Sequence, residues 1–201
     1  LQPLTATFGD KRLDQINPFG IERYMMERKT AGKATATINR ELACLKSLFT
    51  SAMAWGRATT NPVKQVKLYK LNNGRIRYLT NEEQMALLSQ CSLKLRTLIL
   101  MAADTGFRAG ELQALRWGDV SFKNNTITVQ GENAKNGETR TNPMTARLSL
   151  ALQTWMAQTG SGDADFVIGK YSYRTAFENA RKKAGLGEDV VFHTLRHTYI
   201  S

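Results

Sequence analysis

The feature that most restricts the fold is a run of apolar residues recurring at intervals of three and four. This spacing places them on one side of an α-helix, and it predicts a helix from about Thr35 to Trp55 with one face in a core. Gly56 and the pair Asn61-Pro62 follow and end the helix. The predicted core-facing residues are Ile38, Leu42, Leu45, Phe49, Ala52 and Trp55.

The opposite side of this helix is polar and basic, in a chain with a formal net charge of +11 and a pI near 9.9. Such an excess favours a polyanionic partner, usually nucleic acid, although basic membrane-surface proteins share it. The excess is concentrated in residues 1–75. The polar face is either an ordinary solvated surface or a surface that lies against DNA phosphates. The candidate DNA-binding residues here are Lys33, Asn39, Arg40, Lys46 and Ser47.

Other helices are predicted from start signals and apolar spacing. Asn17 can cap a helix that begins at Pro18 and ends near Gly32, with Ile21, Tyr24 and Met25 as its apolar stripe. Residues 80–83 form a capping box that opens a further helix. The remaining predicted helices are one that contains Leu95, Leu98, Ile99 and Ala102 and ends at Gly106, and others over about 145–158, over 172–183 and from Thr194 onward.

Strand chemistry replaces helical spacing at residues 119–130, where Thr126-Ile127-Thr128-Val129 follows two asparagines. Asn136-Gly137 is a two-residue hairpin signal that would pair this strand with residues 138–142. The aperiodic, basic stretch of residues 64–77 is predicted to be a linker with a domain boundary near Gly74. The predicted fold is mainly α with a small antiparallel β-sheet, an α+β arrangement of two domains over 1–74 and 75–201.

The two cysteines, Cys44 and Cys91, each lie in a helical apolar pattern. We expect buried free thiols, which fits a reducing cytosol and a cytoplasmic protein. Neither a membrane-spanning run nor a signal peptide is indicated by the sequence.

Arg108 follows a helix-ending Thr-Gly pair, and a helix resumes at Glu111. An isolated arginine in such a turn is usually a surface residue. A guanidinium fork can, however, hold two non-bridging phosphate oxygens at once. Glu111 lies one helical turn away, where it could orient that guanidinium.

His193 and Arg196 are three residues apart, so at the start of a helix they can face one site. His193 and His197 have the i, i+4 spacing of some zinc sites. Two ligands without a third histidine, cysteine or nearby acid make a poor zinc site, and these are the only histidines of the chain. We therefore predict no metal here.

Two motifs carry a family resemblance: Thr105-Gly106-Phe107-Arg108-Ala109-Gly110-Glu111-Leu112 and His193-Thr194-Leu195-Arg196-His197. Together with the turn around Lys135, they resemble the tyrosine recombinase (phage integrase) family over nearly all of the chain. The resemblance implies a helical core-binding domain that clamps DNA, followed by a catalytic domain. It also implies four protomers on two recombination sites of double-stranded DNA, and no cofactor.

The resemblance also assigns roles to individual residues. Arg108 and Arg196 clamp the scissile phosphate, and His193 assists proton transfer. Lys135, otherwise a solvated turn residue, would protonate the departing 5′ oxygen, with a pKa lowered by neighbouring arginines. Glu111 matches the acid of the first motif and supports the site, and Arg140 fits the basic flank of the family's hairpin, where it would contact DNA. His197 is interpreted from its position as a packing residue or as support for the site.

The family's nucleophilic tyrosine, which forms a 3′-phosphotyrosyl link, follows the second motif after another His or Trp. Tyr199 comes too early for this role, and we expect it to pack in the core. The sequence is therefore expected to be a fragment that lacks its nucleophile and also some residues upstream of Leu1.

Three other functions remain open from the sequence. A DNA-binding remnant or regulator would bind DNA without forming a covalent complex. A type IB topoisomerase would use similar chemistry to relax supercoils. A metal-dependent nuclease is the weakest alternative, because no cluster of acids with metal-binding spacing is evident.

Overall fold

The computed structural model describes residues 2–71, 77–159 and 162–200. The chain forms two compact units, Leu1–Gly74 and Arg75–Ser201, which we call the N-terminal unit and the C-terminal unit. The predicted boundary around Asn72-Asn73-Gly74 lies outside the described residues.

The N-terminal unit is helical. Its helices are α1 (Gln2–Phe8), α2 (Pro18–Thr30) and α3 (Thr35–Ala54). A 3₁₀ turn at Leu13–Gln15 lies between α1 and α2, and another at Pro62–Gln65 follows α3. The Asn17 side chain caps α2 as predicted, accepting a hydrogen bond from the Gly20 amide at 2.8 Å. The core contains the predicted stripe of α2 and that of α3 from Ile38 to Phe49. They are joined by Leu4, Phe8, Ile16, Val63 and Val66.

Two asparagines fasten the segment after α3 back onto that helix. The Asn39 amide donates to the Tyr69 carbonyl at 2.9 Å and accepts from the Tyr69 amide at 3.1 Å. The Asn61 amide donates to the Lys46 carbonyl at 2.9 Å. The Asn39 side chain is thus held by backbone groups at both its oxygen and its nitrogen, which fixes its orientation and leaves one donor and one acceptor position for another partner.

The C-terminal unit contains six helices and a small sheet within its described residues. The helices are α4 (Asn81–Ser89), α5 (Leu93–Thr105), α6 (Ala109–Ala114), α7 (Ala146–Thr159), α8 (Tyr173–Lys183) and α9 (Thr194–Ile200). The predicted capping box opens α4: Thr80 Oγ1 accepts from the Glu83 amide at 3.3 Å, and the Thr80 amide donates to Glu83 Oε2 at 3.0 Å.

Helix α5 is the centre of this unit and packs against α7 and α9. Every residue from Thr97 to Thr105 is buried, which leaves no solvated face in its second half. Its one buried acid, Asp104, accepts two bonds from Nε of Arg147, at 2.9 and 3.1 Å, and another from the Thr145 hydroxyl. A buried carboxylate needs such partners, and these partners attach the start of α7 to the end of α5.

The sheet is antiparallel, in the order β1 (Val120–Ser121), β2 (Thr126–Val129), β3 (Arg140–Pro143). Asn125, with φ of 53°, turns the chain between β1 and β2. The architecture confirms the predicted fold class, mainly α with a small antiparallel sheet.

The predicted two-residue hairpin is wrong. Strands β2 and β3 do pair, with Val129 opposite Arg140, but ten residues separate them. This connection, residues 130–139, contains a 3₁₀ turn at Gly131–Asn133, and the Gly137 amide then donates to the Ala134 carbonyl. Asn136-Gly137 does form a turn, but its strands end before they reach it.

Two burial predictions are also wrong. Trp55 is 76% exposed because α3 ends at Ala54, before the stripe reaches that residue. Cys44 is exposed, since it lies about 200° around the helix from Leu42 and about 100° from Leu45, off the buried stripe. Cys91 is partly buried, and that burial raises the pKa of its thiol to about 11. No helix within the described ranges is long and apolar enough to cross a bilayer.

The buried stripe of α3 can be tested by truncating one leucine. Leu42 is 0% exposed, so Leu42→Ala should lower the free energy of unfolding by about 2–5 kcal/mol. Leu48 is 49% exposed on the same helix, and Leu48→Ala should cost less than about 1 kcal/mol. Urea unfolding followed by circular dichroism measures both; equal losses would contradict the assigned helix face.

Candidate active site

The first arginine motif begins where α5 ends. Gly106 terminates the helix in the left-handed region, with φ of 65° and ψ of 15°, a conformation that favours glycine. Its carbonyl accepts a hydrogen bond from the Arg196 guanidinium, which belongs to the second motif. The two motifs, 90 residues apart in sequence, therefore meet at the end of α5.

Arg108 sits at the start of α6 and is held by Glu111. The Glu111 carboxylate accepts from the Arg108 amide at 2.7 Å and from its guanidinium at 3.0 Å. The Glu111 side chain is 3% exposed, whereas that of Arg108 is 38% exposed. The carboxylate is thus buried beneath an arginine that keeps part of its fork open to solvent.

A second arginine, Arg140 at the start of β3, reaches the same carboxylate. Its guanidinium also lies over the Phe107 ring, 5.0 Å from the ring centroid. Burial alone would raise the pKa of Glu111, but hydrogen bonds from Arg108 and the charge of Arg140 outweigh it and lower that pKa. Glu111 therefore carries its negative charge at neutral pH between two guanidinium groups.

Arg196 completes a cluster of positive charge. Burial and then the charge of Arg108 lower the pKa of Arg196, and Arg140 acts in the same direction. Four groups, one acid and three arginines, thus interact electrostatically around the first motif. A cluster with net positive charge and a partly open surface suits a phosphate anion.

His193 precedes α9 and is exposed. The pKa of His193 is lowered, first by partial burial, which disfavours the charged imidazolium. The charges of His197, Arg196 and Arg108 lower it further. Its ring stands edge-on to that of His197, with the centroids 4.8 Å apart. A small cavity of about 130 Å³ adjoins both motifs, lined among others by Phe107, His193 and Arg196. The described residues contain no group of three or more His, Cys, Asp or Glu placed to hold a metal ion.

Lys135 is exposed on the connection between β2 and β3. Within the part of the chain that the structure describes, its ammonium makes no hydrogen bond or ion pair. The predicted role of Lys135 therefore stays a prediction.

Tyr199 does not pack in the core as expected, since it is 45% exposed. Leu195, one turn earlier in α9, is buried against the unit's core, but α5 ends at the level of the tyrosine. The ring of Tyr199 lies on Gly106 instead: a Cβ added to that glycine would be 2.5 Å from its Cδ1. The contact of Tyr199 with Gly106 is thus a second link between the two motifs, besides the hydrogen bond from Arg196 to the Gly106 carbonyl.

Asn142 is a site residue that the sequence reasoning missed. Its amide donates to the Thr105 carbonyl at 2.8 Å and to the Tyr199 hydroxyl at 3.3 Å. A signal for it existed, because alternate residues of a strand share one side. Arg140 and Asn142 are such a pair, so a strand that places one near the first motif places the other there too.

Residues 77–201 match the model of the phage integrase family. That range covers more than half of the chain, so the chain belongs to the phage integrase family, that of the tyrosine recombinases.

Among its relatives, a shufflon-specific DNA recombinase of Escherichia coli is 32% identical over 98% of this chain and 48% of its own length. A tyrosine recombinase XerC of Xanthomonas campestris is 23% identical over 96% of this chain and 63% of its own length. The chain thus spans between about half and two thirds of the length of these relatives.

Solved structures show the same fold. A Tn1549 transposon integrase in complex with transposon right end DNA has a TM-score of 0.82 at 21% identity, covering 98% of this chain and 77% of that one. A lambda integrase tetramer bound to a Holliday junction has a TM-score of 0.78 at 24% identity, covering 98% and 62%.

Removing the charge of Glu111 should destabilise the folded protein by an amount that depends on pH. Glu111→Gln should lower the free energy of unfolding at pH 7 by about 1–3 kcal/mol, since hydrogen bonds to charged groups contribute that much. The folded pKa of Glu111 is lowered, so its contribution is present above the ordinary glutamate pKa and is lost as the pH falls through the folded value. The difference between wild type and variant should therefore shrink below about pH 4.

Denaturant titrations from pH 7 to pH 3 measure this difference. Glu178→Gln removes an exposed carboxylate of α8 and is the matched control, with little expected change at any pH. If wild type and Glu111→Gln differed in free energy of unfolding by the same amount from pH 7 to pH 3, the proposed ionic role of Glu111 would be contradicted.

The contact between Gly106 and Tyr199 can be separated from backbone strain. Gly106→Ala combines a positive φ with a clash, whereas Gly137 has a φ of 75° and no atom within 4 Å of an added Cβ. Gly106→Ala should therefore lower the free energy of unfolding by roughly 1–3 kcal/mol more than Gly137→Ala. When Tyr199→Ala is present as well, the two glycine variants should lose equal stability. Thermal or urea unfolding of both glycine variants, each with and without Tyr199→Ala, measures this difference.

Proposed function

We propose that the full-length protein is a site-specific DNA recombinase that cleaves and rejoins double-stranded DNA through a 3′-phosphotyrosyl intermediate. The observation that supports this most is the meeting of Arg108, His193 and Arg196 at the end of α5. Phosphoryl transfer of this kind depends on positioning and on stabilising the charge that develops on the phosphate oxygens.

In this proposal Arg108 and Arg196 clamp the scissile phosphate. The buried Glu111 carboxylate accepts hydrogen bonds from the Arg108 amide and guanidinium. The guanidinium is therefore already ordered before DNA binds. Arg140 shares that carboxylate, and its remaining donors add positive charge at the rim of the site. Preorganised donors of this sort stabilise the transition state without reorganising during the reaction.

His193 and Lys135 are the proposed proton-handling groups. A lowered pKa keeps His193 neutral at neutral pH, where an imidazole can both accept and donate a hydrogen bond. His197 supports it through the edge-on ring contact. Lys135 is the proposed general acid for the 5′ leaving oxygen, and it must approach the arginines when DNA is bound.

The nucleophile is proposed to be a tyrosine outside residues 1–201. Tyr199 is a poor candidate because its ring lies on Gly106 and its hydroxyl accepts a hydrogen bond from Asn142. The tetramer of lambda integrase on a Holliday junction supports a homotetramer as the working assembly on paired sites.

The N-terminal unit is the proposed core-binding domain of the DNA clamp. Four candidates stay exposed on and beside α3 and can reach phosphates: Lys33, Arg40, Lys46 and Ser47. Asn39 is the weakest of the original set, since its amide holds the Tyr69 backbone.

The experiment is covalent trapping by full-length protein on a library of nicked duplexes made from the DNA that flanks its gene. A nick near the cleavage point lets the short fragment leave and traps the protein–DNA adduct. Digestion and mass spectrometry then locate the phosphotyrosine. Salt-sensitive binding without any adduct would indicate a DNA-binding regulator instead, and site-independent relaxation of plasmids would indicate a topoisomerase.

Matched substitutions separate catalysis from binding. Arg108→Ala and Arg196→Ala should each lower the rate of adduct formation by about 100-fold or more, because a transition-state contact is lost. Their affinity for DNA should fall much less. Lys46→Ala should do the reverse, weakening DNA binding uniformly and reducing the salt slope by about 1. Equal losses of rate and affinity in the arginine variants would rule out this division of roles.

A further inference from the structure

The turn of residues 188–190 leads directly into the second motif, and an arginine of α8 holds it. One guanidinium nitrogen of Arg181 donates to the Glu188 carbonyl and to the Val190 carbonyl, each at 3.3 Å. Arg181 is only 8% exposed, whereas its neighbours Lys182 and Lys183 are exposed. Its side chain therefore binds the backbone of this turn and has little contact with solvent.

Burying the Arg181 side chain is energetically unfavourable. No carboxylate among the described residues pairs with it, and its Nε has no hydrogen-bond partner there. A buried charge without a counter-charge is unfavourable, and apolar residues of similar size often give a more stable protein. Stability alone does not explain an arginine here, but its two hydrogen bonds fix the backbone that leads into the second motif.

The turn is rigidly connected to His193 and Arg196. Val190 is fully buried, and the Val191 amide donates to Thr194 Oγ1 at 3.1 Å, while the Thr194 amide returns a bond to the Val191 carbonyl at 2.8 Å. Since α9 begins at Thr194, these bonds leave the backbone of His193 little freedom of its own. A displacement of the turn would move the histidine and the first turn of α9 together.

A second arginine holds the same turn from another direction. Arg77 Nε donates to Asp189 Oδ2 at 2.9 Å, and its NH1 donates to Glu83 Oε2 at 3.0 Å. Two residues later, the Leu79 amide donates to Thr198 Oγ1 of α9 at 3.0 Å. The turn is thus held at the carbonyls of Glu188 and Val190 by Arg181, and at the carboxylate of Asp189 by Arg77.

We propose that Arg181 is a positioning residue, which sets the location of His193 and Arg196 by holding the carbonyls of Glu188 and Val190. Arg77 supports the same turn through Asp189. Neither arginine touches the reacting phosphate in this arrangement. The consequence for catalysis rests on the proposed recombinase function, but the consequence for the geometry of the site does not.

The test compares Arg181→Met, Arg181→Lys and the control Lys182→Met. Methionine fills the buried space without hydrogen bonds. Lysine keeps a charged donor for the two carbonyls, but on a different side chain without the planar guanidinium. Lys182→Met removes the same charge from the neighbouring exposed position. The first readout is the imidazole NMR spectrum, which is simple because the chain has two histidines. The second is the rate of covalent adduct formation by the full-length protein at saturating DNA.

For Arg181→Met we expect unchanged or higher stability, shifted His193 signals and a weaker cross-peak between the two imidazole rings. The adduct rate should fall roughly 10-fold to 100-fold, as displacements of about 1 Å can cause, with DNA affinity nearly unchanged. Arg181→Lys should recover part of both effects, and Lys182→Met should resemble wild type.

Unchanged His193 signals in a folded Arg181→Met protein would overturn the proposal whatever the adduct assay shows. If Arg181→Met does not fold, Arg181→Lys carries the test: wild-type imidazole signals in that variant would make Arg181 a folding residue only. Shifted signals in a protein that forms no adduct even as wild type would support the positioning role and count against the proposed recombinase function.

Discussion

The site of this protein depends on one buried carboxylate, that of Glu111. It is nearly inaccessible to water, yet it stays ionised because Arg108 and Arg140 approach it from a helix start and a strand start. A buried charge is tolerable only when its partners are fixed, so the carboxylate requires both elements to be in place. The fold and the site are therefore coupled: the three-stranded sheet, which places Val120, Ile127 and Val129 in the core, also brings the second guanidinium.

The rest of the site is arranged around the end of α5. Gly106 ends the helix, gives its carbonyl to Arg196 and offers a flat surface to the ring of Tyr199. The neighbouring Thr105 gives its carbonyl to Asn142 of β3. A helix end leaves carbonyls without partners in its own helix. Here the second motif and the sheet supply those partners, which explains how segments so distant in sequence converge on one point.

Much of this could be predicted from sequence where the cause was local. Helix positions followed from apolar spacing and caps, and the pairing of Arg108 with Glu111 followed from a separation of three residues. The predictions failed where the outcome depended on where a neighbouring element ends. Trp55 continues an apolar stripe beyond the end of its own helix, and Tyr199 continues one beyond the end of α5. Asn142 and the ten-residue connection after β2 depend on strand register, which spacing alone does not reveal.

That connection has a consequence for how such a site can diversify. The three arginines are carried by helix and strand ends whose positions are set by the core, whereas Lys135 stands on residues 130–139, outside the strand pairing. Residues can be gained or lost in such a surface segment at small energetic cost. The reach of the lysine can therefore change while the arginines stay where they are. Under the proposed function, protonation of the leaving group would then be adjustable without disturbing the phosphate clamp.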